Sequence, residues 1–536
     1  MKTEEAFNLF LNDFIPRVKK KSLALAKASW ELETKGSKDA AMQVAILSKE
    51  VKLLYNNEEN YKQLLSWKKE GQITDTSLLR ILNLLIKSHK VNLVPAELIE
   101  DIAQKEANLA ITYVNFRVKF EGRECTENDL VDILKTEKDV ERRKAAWNAT
   151  KEIGVLLAPQ ILALVKKRNQ LAHRLGYSDF YEMRLDLTEV DKKWLFEFLN
   201  EFEVTSRKAY LTIHKEIETK LSERYKTSPT SIGPWAWAEP FSQEDPLSSS
   251  NLDSLVEGVD IVKASEKFFN SIGFEVDDII KNSDLFERKG KNQHAFCTSI
   301  DREKDIRILT NIRPNIRWLE TTIHELGHAV YEKGYDPKLH WYLKVPPHMI
   351  TTEAIALITG RQAYDKEFLK DISSKENLDD ILTEAKKSHT RRQVIFSRWV
   401  LVMVHFEAAL YANPEQDLNS LWWSLVQKYQ KVCPSSHRGE KADWACKMHI
   451  GLAPIYYHSY LLGEFFASMI KDHFEKINNT PSMYKHPGIA KFLNEKLFSH
   501  GDLMRWDRLI QSMLGQPLTY KPWVEEFCNN KDLNEK

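Results

Sequence analysis

The sequence predicts a mainly α-helical protein with two helical lobes, a cleft between them, and a small β-hairpin or sheet. Three observations lead there. Residues 1 to 225 show one helical hydrophobic pattern after another with almost no strand signal. Glycine and proline number only 18 each in 536 residues, which suits long helices and few hairpins. The chain also exceeds the ~250–300 residues at which a single core stops growing, so one catalytic domain built of two lobes is expected over residues 1–536.

Along the chain, Leu78 to Leu85 and the charged, apolar-striped stretch from Val140 to Leu175 are clear helical patterns. Charge-laced segments such as Lys27 to Asp39 and Lys135 to Arg143 intersperse both signs and are expected to be solvated helix faces. Thr227 to Asn251, with Pro229, Gly233, Pro234, Pro240 and Pro246, is the clearest long connection and is expected to join the lobes or border the cleft. Phe296 to Ile300 and Ile306 to Thr310 are the best strand candidates. An edge strand there could pair with an extended peptide through its main chain, although a purely structural hairpin fits equally well. The apolar runs Trp399 to Tyr411 and Tyr456 to Ile470 are interrupted by His405, Glu407, His458 and Glu464 and read as buried helices, short of a ~20-residue span.

Composition narrows the function classes. With 77 basic and 77 acidic residues the net charge is zero, so nucleic acid is not an expected partner. The apolar runs fall short of a span, so a membrane is not an expected partner either. The N-terminus lacks a basic region followed by an apolar one, which makes the cytoplasm the expected location. Five cysteines, odd in number and without a CxxC pair, do not suggest a disulfide framework.

The chemistry is carried by His324-Glu325-Leu326-Gly327-His328. On a helix, positions i and i+4 lie ~40° apart in azimuth and ~6 Å apart in rise, so both imidazoles can bind one ion. Glu325 stands about 100° round from His324, beside that ion, where a carboxylate can serve as general base toward water. Only about 0.04 chance matches to this pattern are expected in the chain. Leu319, Ile323, Leu326, Ala329 and Val330 place the motif on a partly buried helix. Gly327 costs such a helix ~1 kcal/mol relative to alanine, which implies a close neighbour.

A hydrolytic zinc site takes three protein ligands, so a third is expected downstream. Glu353, the sole acid in the apolar segment Thr351 to Leu357, is the best candidate, with His340 and His348 as competitors. Pro346 and Pro347 allow the chain to turn back between them.

HExxH followed by a glutamate resembles the gluzincin metallopeptidases, and further segments resemble the angiotensin-converting enzyme family, in a bacterial-type form without a secretion signal. His294-Ala295 stands thirty residues before the first motif histidine, as in that family. Glu353-Ala354-Ile355, Lys447-Met448-His449-Ile450, Pro454, Tyr457-His458-Ser459-Tyr460 and Gly515-Gln516-Pro517 match its later segments in order. The matches span residues 294 to 517, with the zinc-site core expected at about 290–360 and 440–470.

The resemblance implies a two-lobed helical shell around a deep central channel, one zinc ion, and removal of C-terminal dipeptides from oligopeptides. It also implies that His324, His328 and Glu353 hold zinc, that Glu325 activates water, and that His449 and Tyr460 stabilise the transition state. Tyr456 and Tyr457 remain alternatives to Tyr460. Lys447, with Tyr457, would hold the peptide's C-terminal carboxylate, and His294 and Ala295 would meet the substrate backbone.

Departures from the family pattern matter too. Leu357 replaces the family's aspartate behind a zinc histidine, Gln293 replaces a cysteine, and Ser459 replaces the chloride-site arginine, so chloride activation is not expected. The His-Ala and Arg-Ile segments also resemble thermostable carboxypeptidases of the same clan, which makes a monocarboxypeptidase the alternative activity. A non-catalytic peptide-binding protein is a third reading, against which the intact Glu325 argues.

Overall fold

A computed structural model describes residues 2–247, 250–375, 378–434, 438, 441–480 and 482–529. The chain is mainly helical, and among the described residues β-structure is confined to two antiparallel two-stranded sheets. It divides into two compact units. The first comprises Met1–Leu93, Ser250–Thr383 and Leu462–Pro522, and the second Val94–Ser249, Glu384–Leu461 and Trp523–Lys536.

In the first unit, four helices, Thr3–Lys35, Lys38–Tyr55, Glu58–Glu70 and Thr76–Asn92, bury an apolar face built on Phe7, Phe14, Leu64, Trp67, Ile81 and Leu85. Trp341 and Leu343 complete that cluster. The two helices that carry the metal motif follow the second sheet. The motif helix, Ile316–Lys333, begins at Asn315, whose side chain accepts from the Trp318 amide at 2.9 Å and so satisfies an otherwise orphaned donor. The ligand helix, Met349–Gly360, begins at His348, whose Nδ1 accepts from the Ile350 amide at 3.0 Å.

The second unit is built around the helices Ile153–Arg174 and Lys192–Tyr225 and the main part of Leu378–Ala412, the core helix. Trp147, Trp235, Trp237, Trp399 and Trp444 are fully buried. By length and composition the core helix could cross a membrane; 78% of its most apolar window is buried, as in the central helix of a protein core. The connection expected from Thr227 to Asn251 is ordered by short 3-10 turns at Pro229–Ser231 and Pro234–Ala236. Its Ser248 and Ser249 lie outside the described residues. Arg143 pins it by donating to the carbonyls of Trp235, Ala236 and Trp237 at 3.0–3.2 Å.

Two expectations need correction. The pattern from Val140 to Leu175 folds as two helices, Val140–Thr150 and Ile153–Arg174, broken at Lys151 and Glu152. A hairpin of β1 (Val118–Phe120) and β2 (Arg123–Cys125) also stands in the stretch read as having almost no strand signal, and its two-residue Glu121-Gly122 turn has positive φ at both positions. The second sheet falls where the sequence places it: β3 (Phe296–Ser299) pairs with β4 (Ile306–Leu309) in the register Phe296↔Leu309 to Ser299↔Ile306.

Candidate metal centre and carboxylate anchor

The motif and ligand helices of the first unit pack face to face because Gly327 removes the side chain where they meet. A Cβ at 327 would lie 2.3 Å from Thr359 Oγ1 and 2.8 Å from the Ala356 Cα. That close approach puts Glu353 opposite the two histidines. The ligand atoms of His324, His328 and Glu353 all lie within 4.8 Å of one another, and His324 Nε2 is 3.9 Å from a Glu353 oxygen. Ligands ~2.1 Å from a tetrahedral zinc stand ~3.4 Å apart, so small side-chain rotations would close the set on an ion. Among the described residues this is the one such cluster. His340 and His348, the competing ligands, are used as helix caps instead: His340 Nδ1 accepts from the Tyr342 amide at 3.2 Å.

The electrostatics fit a cation. Burial holds the His324 imidazole down at about 4 and that of His328 well below its ordinary range, so both are neutral and able to ligate at pH 7. Burial, and then the Glu353 charge, push the Glu325 carboxyl up to about 8. A divalent cation between these groups opposes both effects and favours the carboxylate.

The aspartate missing at Leu357 has a local substitute for one histidine. His328 Nδ1 lies 2.7 Å from Thr352 Oγ1. Thr352 is on the ligand helix, so the helix that carries the candidate ligand Glu353 also orients the His328 ring. Behind Glu353, Gly463 brings the helix Tyr457–Asn478 close; a Cβ there would be 3.1 Å from Glu353 Cβ.

His294 and Ala295 stand at the entrance to β3, where the His294 amide donates to Asn292 Oδ1 at 2.9 Å. β3 packs on the motif helix and is partly exposed throughout. Its partner β4 is bridged on the other side by Asp284, and among the described residues β3 pairs with β4 alone, leaving its outer edge open.

The second unit gathers the other expected residues. Lys447 is enclosed by aromatic rings, with Nζ 4.9 Å from the Phe241 centroid, 5.4 Å from Trp399 and 5.9 Å from Tyr457. It donates to Gln243 Oε1 at 3.3 Å. Gln243 is in turn held by Glu239, which accepts its amide at 2.6 Å and that of Phe241 at 2.7 Å. Burial pushes the Glu239 carboxyl up to about 7 and pulls the Lys447 ammonium down to about 8, with Glu239 opposing the latter effect. Gln243 and Glu239 were missed in the sequence because they lie some 200 residues from Lys447 in a proline-rich connection without a motif. The His449 ring lies 5.0 Å from that of Tyr457, and Tyr460 packs 5.6 Å from Tyr457 and 4.8 Å from Tyr456.

Two half-buried histidines one helical turn apart, a facing glutamate on the next helix and a buried carboxylate beside the first histidine are the arrangement of a gluzincin-type zinc metallopeptidase. The comparisons agree: the family model "Peptidase family M3" matches residues 133–528, and the "Angiotensin-converting enzyme" model matches residues 1–233. The chain belongs to peptidase family M3, whose members are zinc-dependent.

It is also 23% identical to angiotensin-converting enzyme of Mesocricetus auratus over 79% of this chain and 34% of that protein. To the enzyme of the same name from Theromyzon tessulatum it is 22% identical, over 60% of this chain and 57% of that one. Carboxypeptidase 1 of Bacillus subtilis is 26% identical over 50% of this chain and 56% of its own length. The aligned region thus spans about a third of the first of these relatives and little more than half of the others.

Proposed function

We propose that this chain removes C-terminal dipeptides from oligopeptides, with His324, His328 and Glu353 as the zinc ligands. The observation that carries this reading is the His324, His328 and Glu353 cluster with the buried Glu325 beside it. Zinc, when bound, acts as a Lewis acid that acidifies water and polarises the scissile carbonyl. Glu325 takes the proton of the attacking water and delivers it to the departing amine. His449 and Tyr460 donate hydrogen bonds to the oxyanion that develops, donors of a kind worth ~3 kcal/mol each. Lys447, steadied by Gln243 and Tyr457, holds the C-terminal carboxylate, and the open edge of β3 with His294 and Ala295 takes the peptide main chain. Oligopeptides are the substrates on this reading. A cytoplasmic location belongs to the same proposal and is supported by five free thiols, which suit a reducing compartment.

The likeness to a carboxypeptidase from Bacillus subtilis favours a second reading, release of single amino acids. An N-terminally blocked tetrapeptide separates the two. A free C-terminal dipeptide as first product is expected, whereas stepwise single residues without dipeptide would transfer the assignment to the monocarboxypeptidase. Glu325→Gln should keep one zinc per chain and lower hydrolysis by several orders of magnitude; near-parental activity refutes the mechanism.

A further inference from the structure

His449 and the tyrosines Tyr456, Tyr457 and Tyr460 sit on either side of a short link, Ala453 to Ile455, that follows the helix Met448–Leu452 and leads into the helix Tyr457–Asn478. This link bends sharply at Pro454-Ile455. Ile455 has φ +61°, a left-handed conformation that turns with proline one place earlier normally assign to glycine. A β-branched residue adopts it at a steric cost and persists there only when its surroundings over-determine the bend. Here they do. The Ile455 amide donates to Glu407 Oε1 at 2.8 Å, and Glu407 is 1% exposed. At the other end, in the last turn of the helix before the link, the Gly451 carbonyl accepts from Arg168 at 2.8 Å, and Arg168, also buried, donates to the Tyr411 hydroxyl at 3.1 Å. Glu407 and Tyr411 are one turn apart on the core helix, so a single rigid element fixes both ends of the link, one end through Arg168.

We propose that Glu407 is a positioning residue: by holding the Ile455 amide it fixes the spacing between His449 and the tyrosines that stabilise the transition state. The inference rests on the donor roles proposed above. Glu407 touches neither substrate nor metal ligand in this scheme and acts only through the backbone it anchors. Burial pushes its carboxyl up to about 8, with the Ile455 amide and Arg168 opposing, so near pH 7 it is a largely neutral acceptor. A carboxamide reproduces that acceptor, and a methyl group does not.

The experiment uses the full-length zinc-loaded enzyme. Glu407→Ala is expected to lower kcat at least tenfold with KM within threefold and zinc content unchanged. Glu407→Gln should stay within threefold of the parent in both constants. Added to Tyr460→Phe, Glu407→Ala should cost less than threefold further, because the group it positions is already gone. A lower melting temperature with parental kcat would show a purely structural role and overturn the proposal. A Gln variant as impaired as the Ala variant, or fully multiplicative losses in the double variant, would do the same. Parental activity in Tyr460→Phe alone overturns the donor assignment instead, and Glu407 is then still judged on the kcat of its own two variants.

Discussion

The hydroxyl of Thr352 lies 2.7 Å from Nδ1 of His328, on the residue directly before the proposed third zinc ligand. With Nε2 facing the metal, Nδ1 carries the proton and donates it to Thr352, which fixes the ring plane and the tautomer. Thr352→Val keeps the shape but removes the acceptor. Zinc should bind about 10–100-fold more weakly, as for other outer partners of metal-ligating histidines. Thr352→Ser should restore it. Competition with a chelator measures the change, and a valine variant within twofold of the parent would assign the orientation of His328 to another group.

Gly327 gives a prediction whose sign separates helix propensity from packing. On an exposed helix, glycine to alanine stabilises by ~1 kcal/mol. Here the added methyl would overlap Thr359 Oγ1 and the Ala356 backbone. Overpacking of this kind costs about 1–3 kcal/mol, so Gly327→Ala should be net destabilising and should weaken zinc binding by moving Glu353 away from the histidines. Thermal unfolding and metal titration report the two effects; a higher melting temperature contradicts the packing.

Gly463 is the milder counterpart. The 3.1 Å approach to Glu353 Cβ requires a shift of a few tenths of an ångström rather than a backbone separation. Gly463→Ala should therefore lower zinc affinity by a few fold with little loss of stability. Metal titration against an unchanged melting temperature checks it, and equal losses in both would mean that the helix, not Glu353, absorbs the strain.

These contacts mark the boundary of what the sequence discloses. His324, Glu325, His328 and Glu353 are legible because helical spacing turns residue numbers directly into geometry, and one apolar segment contains a single acid. Thr352 is not, although the departure at Leu357 signals that something must replace the aspartate. Which atoms replace it depends on how closely two helices cross, and only Gly327 hints at that. The same holds for the fold. The strands β3 and β4 fall where alternation predicts, whereas the β1–β2 hairpin is too short to imprint a pattern. Gln243 joins Lys447 through a contact spanning 204 positions, beyond any local signal.

Lys447 makes the anchor role testable by pH. Burial among aromatic rings lowers its ammonium to about 8, so the charge is complete well below that pH and is lost as pH rises through it. A peptide carboxylate bound to it favours the charged form, so the lysine in the complex titrates higher than in the free enzyme. Substrate affinity should thus fall above about pH 8: kcat/KM declines there, while kcat holds to higher pH because it reports the complex. A C-terminally amidated peptide offers no carboxylate and should be poorer below pH 8 yet lack this decline. Lys447→Met should raise KM about 30-fold or more near pH 7, as expected for truncating one partner of a buried charge pair, and abolish the difference between free and amidated peptides. If amidated and free peptides share one pH profile in the parent enzyme, the group that holds the chain end is not Lys447.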